Sequence, residues 1–178
     1  AYYYQKYPIN QSWVKDLRAF GFTVKEMITY RITDLSDEKA LIRRFSENKR
    51  RQIKKAAHLQ VDESLHADQF YAFHQKKKKK QHKPISYSPI YWQTLYSSCI
   101  DHQAGKLIGL RDRDGELTAA AFLVYDDSTC YYLIPAYDPD KGSNGAGARL
   151  VLESIRFAAQ HNLVFDFEGS MIPGIANH

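Results

Sequence analysis

The 178-residue chain is poor in the residues that announce a covalent or metal framework. Its two cysteines, Cys99 and Cys130, are too few for a disulfide framework and form no metal or redox spacing. Seven histidines, at 58, 66, 74, 82, 102, 161 and 178, show no metal-ligand spacing, so no metal is expected. No apolar run approaches the length of a helical membrane span. The opening AYYYQKYPIN lacks the basic-then-apolar layout of a signal peptide. These absences point to a reducing, cytoplasmic setting. Acid is scarce early in the chain: residues 1–100 carry 19 Lys or Arg against 9 Asp or Glu. Residues 101–178 reverse the balance, with 6 against 11. The net charge of +5 depends on one short run, the lysines at 76–80 with Lys83. Such a run is either a solvated helix end or a face for an anionic partner.

At 44% hydrophobic and 25% charged, the composition is that of a globular fold, sized for one domain or for one domain carrying a fragment of another. A short amphipathic segment (Trp13, Leu17, Phe20) ends at Gly21, a helix C-cap. FTVKEMITYRITDL, residues 22–35, reads as a strand. A helical stretch runs from Ser36 to about residue 57, with a break near Asn48 as a second N-cap. LQVDES is a short strand, and HADQFYAFHQ starts a helix that continues into the lysines. SPIYWQTLYSSCIDH is a helix with Ser88 as cap and Pro89 in its first turn. Three strands follow, turning at Asp114-Gly115 and at Asp126-Asp127-Ser128. A helix over 144–162 and a closing strand complete the chain. This order predicts an α/β fold, a mixed and mostly antiparallel sheet flanked by helices.

Three stretches offer chemistry. Past the strand ending at Tyr137 comes a loop with Lys141, and Gly145-Ala146-Gly147 opens a helix. A helix start favours an anion, and glycine lets phosphate approach the backbone. The pattern is neither a Walker A loop nor a full dinucleotide fingerprint, and tight loop-to-helix packing explains the glycines equally well. In ENKRRQIKKAAH, residues 47–58, a helix gathers Arg50, Arg51, Lys54 and Lys55 on one broad face. Such a face suits phosphate, or is simply solvated. Last, LVFDFEGSMIPGIANH alternates as a strand: Leu163, Phe165 and Phe167 on one face, Val164, Asp166 and Glu168 on the other. Two positions along a strand span about 6.8 Å. The acid pair reads as a general base, an amine anchor, or partners for nearby cations.

NKRRQIKKA at 48–56, YYLIPAYDPDKGSNGAGARLVLESIRFAA at 131–159 and FDFEGSMIPGI at 165–175 resemble the GNAT acyltransferase fold, and within it the FemABX-like branch. The resemblance extends over roughly residues 22–178. It implies transfer of an acyl or aminoacyl group onto an amine of a small-molecule or muropeptide acceptor, with acyl-CoA or aminoacyl-tRNA as donor. It makes residues 22–178 a GNAT-like acyltransferase domain lacking its C-terminal segment, and residues 1–21 the tail of an upstream GNAT-like half. It places Arg50 against the phosphates of a nucleotide-linked substrate, with Asn48 and Lys54 lining the same helix face. Gly145, Ala146 and Gly147, with Lys141, fall where relatives cradle the donor's pyrophosphate. Where CoA-using relatives carry Arg or Gln three residues before the first glycine, this chain has Gly142. The resemblance also implies that the strands before and after the glycine helix part. Asp166 or Glu168 would then act on the acceptor amine from one bank, and backbone N–H groups near Ala136 and Tyr137 would hold the acyl carbonyl from the other. The alternative is a non-catalytic module binding tRNA or a nucleotide-linked ligand on the same scaffold. The sequence sets no oligomeric state.

Overall fold

The computed structural model describes residues 12–24, 28–138 and 145–168. Contacts divide the chain into two compact units: residues 30–168, and residues 1–29 with 169–178. In the smaller unit, Ser12–Phe20 forms a 3-10 helix. It closes on Gly21 at φ 81°, with Phe22 N–H on the Leu17 carbonyl and Gly21 N–H on that of Arg18, a glycine-dependent stop.

The larger unit runs β1 (Arg31–Ile32), α1 (Glu38–Arg44), α2 (Glu47–Lys55), β2 (Gln60–Asp62), α3 (Ala67–Lys80), α4 (Pro89–Asp101), β3 (Gly105–Arg111), β4 (Leu117–Tyr125), β5 (Thr129–Tyr137), α5 (Ala146–Gln160) and β6 (Val164–Asp166). One six-stranded sheet has the order β1-β6-β5-β4-β3-β2. Every pairing is antiparallel except β5 with β6, the pair joined through α5, since parallel neighbours need a crossover. The α/β reading with a mostly antiparallel sheet holds.

Two expectations change. Of residues 22–35 only Arg31–Ile32 pairs as a strand among the described residues, at the edge beside β6. The break in the first helical stretch falls before Glu47, where the Ser46 hydroxyl accepts from Lys49 N–H; Asn48 lies inside α2. Ser46 wins because its position leaves Glu47 in the first turn, where the helix dipole favours an acid.

Alternation along β3 and β4 builds a core on each face. Ile108, Leu110, Ala119, Ala121 and Leu123 pack with Leu41, Ala56, Leu150 and Ile155 from α1, α2 and α5. Leu107, Ala120 and Phe122 pack on the other face with Phe70, Phe73 and Trp92 from α3 and α4. The small alanines of β4 let helices approach from both sides. On β5 the alternation breaks. Cys130 belongs to the α5 face, yet Ile134 and Ala136, of the same parity, belong to the α3/α4 face. Phe122 pairs with Ile134 while Val124 pairs with Tyr131, so three steps on β5 face two on β4. This is a β-bulge at Tyr132–Leu133, and bulges re-aim the strand that carries them.

Candidate active site: the opening between β5 and β6

The parallel ladder between β5 and β6 has three rungs: Thr129 with Val164, Cys130 with Phe165 and Tyr131 with Asp166. β5 then continues to Tyr137, paired among the described residues only with β4. The strands therefore part after Tyr131, directly before the bulge. The open edge has a definite set of backbone groups. Asp138 N–H bonds to the Thr118 carbonyl of β4 at 3.0 Å. Alternation in an antiparallel ladder then turns Ala136 and Ile134 toward β4, and Tyr137 and Pro135 toward the open side. Pro135 removes no ladder bond there, because its missing N–H would point outward. The Ala136 amide therefore faces β4, and Tyr137 carries the outward N–H. The Tyr137 side chain is half-exposed and sits opposite Ala119, on the α5 face.

α5 begins after Gly145, which adopts φ 79° and offers no side-chain cap. A Cβ at Gly145 would stand 2.1 Å from the Gln52 carbonyl oxygen, so glycine is required for the chain to pass α2. Packing is therefore one real reason for the motif. Gly147 has a different character: a Cβ there would meet nothing within 4 Å. The amides of Gly147 and Ala148, in the first turn, have no acceptor within the helix. Ala146 is buried. Lys141 lies outside the described residues.

On the opposite bank the acids separate. Phe165 and Phe167 pack on the α5 side, as alternation predicts, and Asp166 faces the other way. Asp166 is 2% exposed and accepts from Arg31 Nε at 2.7 Å on β1. The strand ends at Asp166, so Glu168 does not share its face. Glu168 takes φ 61°, and its N–H donates to Asp166 Oδ1 at 2.7 Å. A non-glycine residue in that region is held there by its surroundings. Asp166 joins β1 to β6 and fixes the turn that carries Glu168.

The basic helix is reached from the same side, because Gln52 of α2 abuts Gly145. Arg50 Nη1 donates to the carbonyls of Arg43 at 2.7 Å and Phe45 at 2.8 Å, capping the end of α1. Arg50 and Lys54 lie on one side of α2, and Asn48 sits about 160° around the axis from Arg50. All three are exposed, but Asn48 does not share their face.

Sequence reading missed a second polar group at the far end of β5. Lys77 and Asp138 form a buried pair there, and His74 Nδ1 lies 2.7 Å from the Tyr87 hydroxyl. Their signal was the spacing 70, 73, 74 and 77, one face of α3. Burial pushes the His74 imidazole down to about 4, with Lys78 adding to the effect. A polar depression of about 470 Å³ lies at the β2 edge, lined by Gln60, Asp62, Ser64, His66 and Arg111. It is remote from the opening, and its Asp62 is engaged by Ser64 and Arg111. Among the described residues no cluster of three His, Cys, Asp or Glu could hold a metal, and no helix is long and apolar enough to cross a membrane.

A mixed sheet that opens beside a bulged strand, followed by a glycine-led helix and its return strand, defines a GNAT-type acyltransferase domain. The family described as acetyltransferase (GNAT) domain matches residues 42–174, and the chain belongs to it. No curated protein matches the chain by sequence. The fold is similar to that of FemX, with a TM-score of 0.73 at 13% identity over 90% of this chain and 60% of that one. It is also similar to L-PGS from Bacillus licheniformis (TM-score 0.56, 12% identity, 88% of this chain and 49% of that one). The C-terminal domain of a putative lysylphosphatidylglycerol synthetase from Agrobacterium fabrum gives 0.55 at 12% identity, over 88% and 51%. The chain thus spans between about half and three-fifths of the length of these structures.

Proposed function

We propose that this domain transfers an acyl or aminoacyl group onto an amine of a small or cell-wall-precursor acceptor, in the manner of the FemABX branch. The observation that carries the reading is the parting of β5 from β6 after Tyr131 and Asp166. In this reading Tyr137 N–H holds the acyl carbonyl and stabilises the oxyanion formed when the amine attacks. The first-turn amides of α5 at Gly147 and Ala148 receive a phosphate of the donor, with Lys141 beside them. Glu168 orients the acceptor amine and takes its proton, and Asp166 holds Glu168 in place. Collapse of the oxyanion then breaks the bond to the donor's carrier, which leaves as the CoA thiol or the tRNA ribose hydroxyl with the proton that Glu168 returns. Lys54 and the remaining donors of Arg50 meet the phosphates of a nucleotide-linked substrate. Acyl-CoA and aminoacyl-tRNA are the candidate donors, both cytoplasmic molecules. The likeness to lysylphosphatidylglycerol synthetases favours an aminoacyl donor.

The test is a melting-temperature screen with acetyl-CoA, aminoacyl-tRNA and a nucleotide-linked muropeptide, followed by a transfer assay with the stabilising donor. A ligand at a hundred times its Kd adds about 2.7 kcal/mol, or roughly 5–11 °C for a chain of this size. Glu168→Gln is expected to lower kcat by about a hundredfold or more, the scale of a lost general base. Absence of a shift with all three ligands would sink the proposal. Unchanged turnover in the variant would remove Glu168 from the mechanism.

A further inference from the structure

The charged pair at the end of β5 has no role in the reading above. Lys77, in the last turn of α3, is 6% exposed, and its Nζ donates to Oδ2 of Asp138, itself 7% exposed. The ammonium lies 5.0 Å from the Phe73 ring centroid, and Lys80 Nζ approaches Asp138 Oδ1 at 4.0 Å. Asp138 also closes the ladder, through its N–H on the Thr118 carbonyl at 3.0 Å. Thr118, fully buried, sits at a second register shift, where its hydroxyl donates to the Leu110 carbonyl at 2.9 Å. The residue after β5 is therefore tied to β4 by its backbone and to α3 by its side chain.

A buried ion pair gains little over an apolar pair of the same volume, because desolvation offsets the attraction. Stability alone does not account for it. Its position does. From Tyr132 to Tyr137 the strand has a neighbour on one side only among the described residues, since β6 leaves at Tyr131. A one-sided strand can twist about its ladder, and Tyr137 N–H would swing with it. The pair supplies a fixed point one residue beyond that amide, from a helix on the face opposite α5.

We propose that Lys77 and Asp138 are positioning residues for acyl transfer, holding the end of β5 so that Tyr137 N–H points steadily into the opening. This rests on the acyltransferase reading. The deciding variant is the double replacement Lys77→Met with Asp138→Leu, which fills the site without charge. Its melting temperature is expected to equal or exceed that of the unmodified protein. Its kcat is expected to fall about ten- to a hundredfold, the scale of a misplaced reacting group, with KM for donor and acceptor nearly unchanged. Hydrogen exchange at the ladder-bonded amides of Ala136 and Asp138 should quicken by about tenfold at equal global stability, as the strand end loosens.

Unmodified kcat in the folded double variant would overturn the proposal. So would a loss of kcat that merely tracks a lower melting temperature. If the double variant does not fold, Lys77→Arg and Asp138→Glu are read the same way, since they keep the charges while moving the contact. Should the unmodified protein transfer no acyl group at all, the acyltransferase reading fails on its own, and exchange at the ladder-bonded Ala136 amide still decides whether the pair fixes the strand: equal rates reject it.

Discussion

Asp166 and Glu168 look alike in the sequence and do different work in the structure. Asp166 is buried, and its two oxygens accept from Arg31 and from the Glu168 amide. A carboxylate so engaged holds structure and is badly placed to collect a proton from a substrate. Asp166→Asn would leave the Arg31 guanidinium facing an amide. Because Arg31 is itself half-exposed, the loss should be smaller than for a fully buried pair, about 2 kcal/mol. That corresponds to roughly 4–8 °C in melting temperature. Assayed well below its melting point, Asp166→Asn should keep kcat within about threefold of the unmodified protein, because the asparagine oxygen still accepts the Glu168 N–H and holds the turn, while Glu168→Gln does not. A kcat loss in Asp166→Asn as deep as that of Glu168→Gln would show that Asp166 takes part directly. The two acids also explain their own geometry: the αL turn at Glu168 needs an acceptor for its N–H, and Asp166 two residues earlier supplies it.

At the scale of elements, the crossing of α2 beneath the start of α5 is decided by one missing Cβ. Gly145→Ala would put a methyl carbon against the Gln52 carbonyl while forcing alanine into a left-handed conformation. The conformation alone costs about 1–2 kcal/mol, and relieving the contact requires α2 or α5 to move. A fall in melting temperature of at least about 4 °C is expected. Gly147→Ala meets open space and should leave stability unchanged or slightly raised. Weakened donor binding in that variant would mark the first turn of α5 as part of the site. Both glycines were visible in the sequence as a pair with one meaning; only the packing partner separates them. The same holds more widely. The six elements after residue 88 were readable because caps, Asp-Gly turns and apolar stripes are local signals. The β5 bulge was not, since it depends on the pairing register of β5 against β4. The capping role of Arg50 was not legible either, because its acceptors, the carbonyls of Arg43 and Phe45, belong to a helix end whose place the sequence does not show. Lys77 was obscured by its neighbours: the core-facing spacing was present, but five lysines in a row suggested a solvated end.

For the whole molecule, the two faces of the sheet respond differently to acid. His74 lies in the α3/α4 layer, 4% exposed, bonded to the Tyr87 hydroxyl and close to Phe70. Its folded-state value of about 4 lies below the ordinary 6.5. Between those values the unfolded chain binds a proton that the folded chain refuses, so stability is full above about pH 6.5 and declines as pH falls toward 4. The carboxylates of Asp34, Glu38 and Asp126 act lower. Their bonds to Ser36, Arg156 and the Ser128–Thr129 turn hold them below the usual range, and their contribution is lost as pH drops through and under it. The interval from pH 7 to pH 5 therefore isolates the histidine. In that interval the melting temperature of the unmodified protein should fall, and that of His74→Gln, which keeps a polar partner for Tyr87, should stay nearly level. Parallel slopes for the two proteins would mean that the α3/α4 layer opens without charging His74, and that acid enters this fold elsewhere.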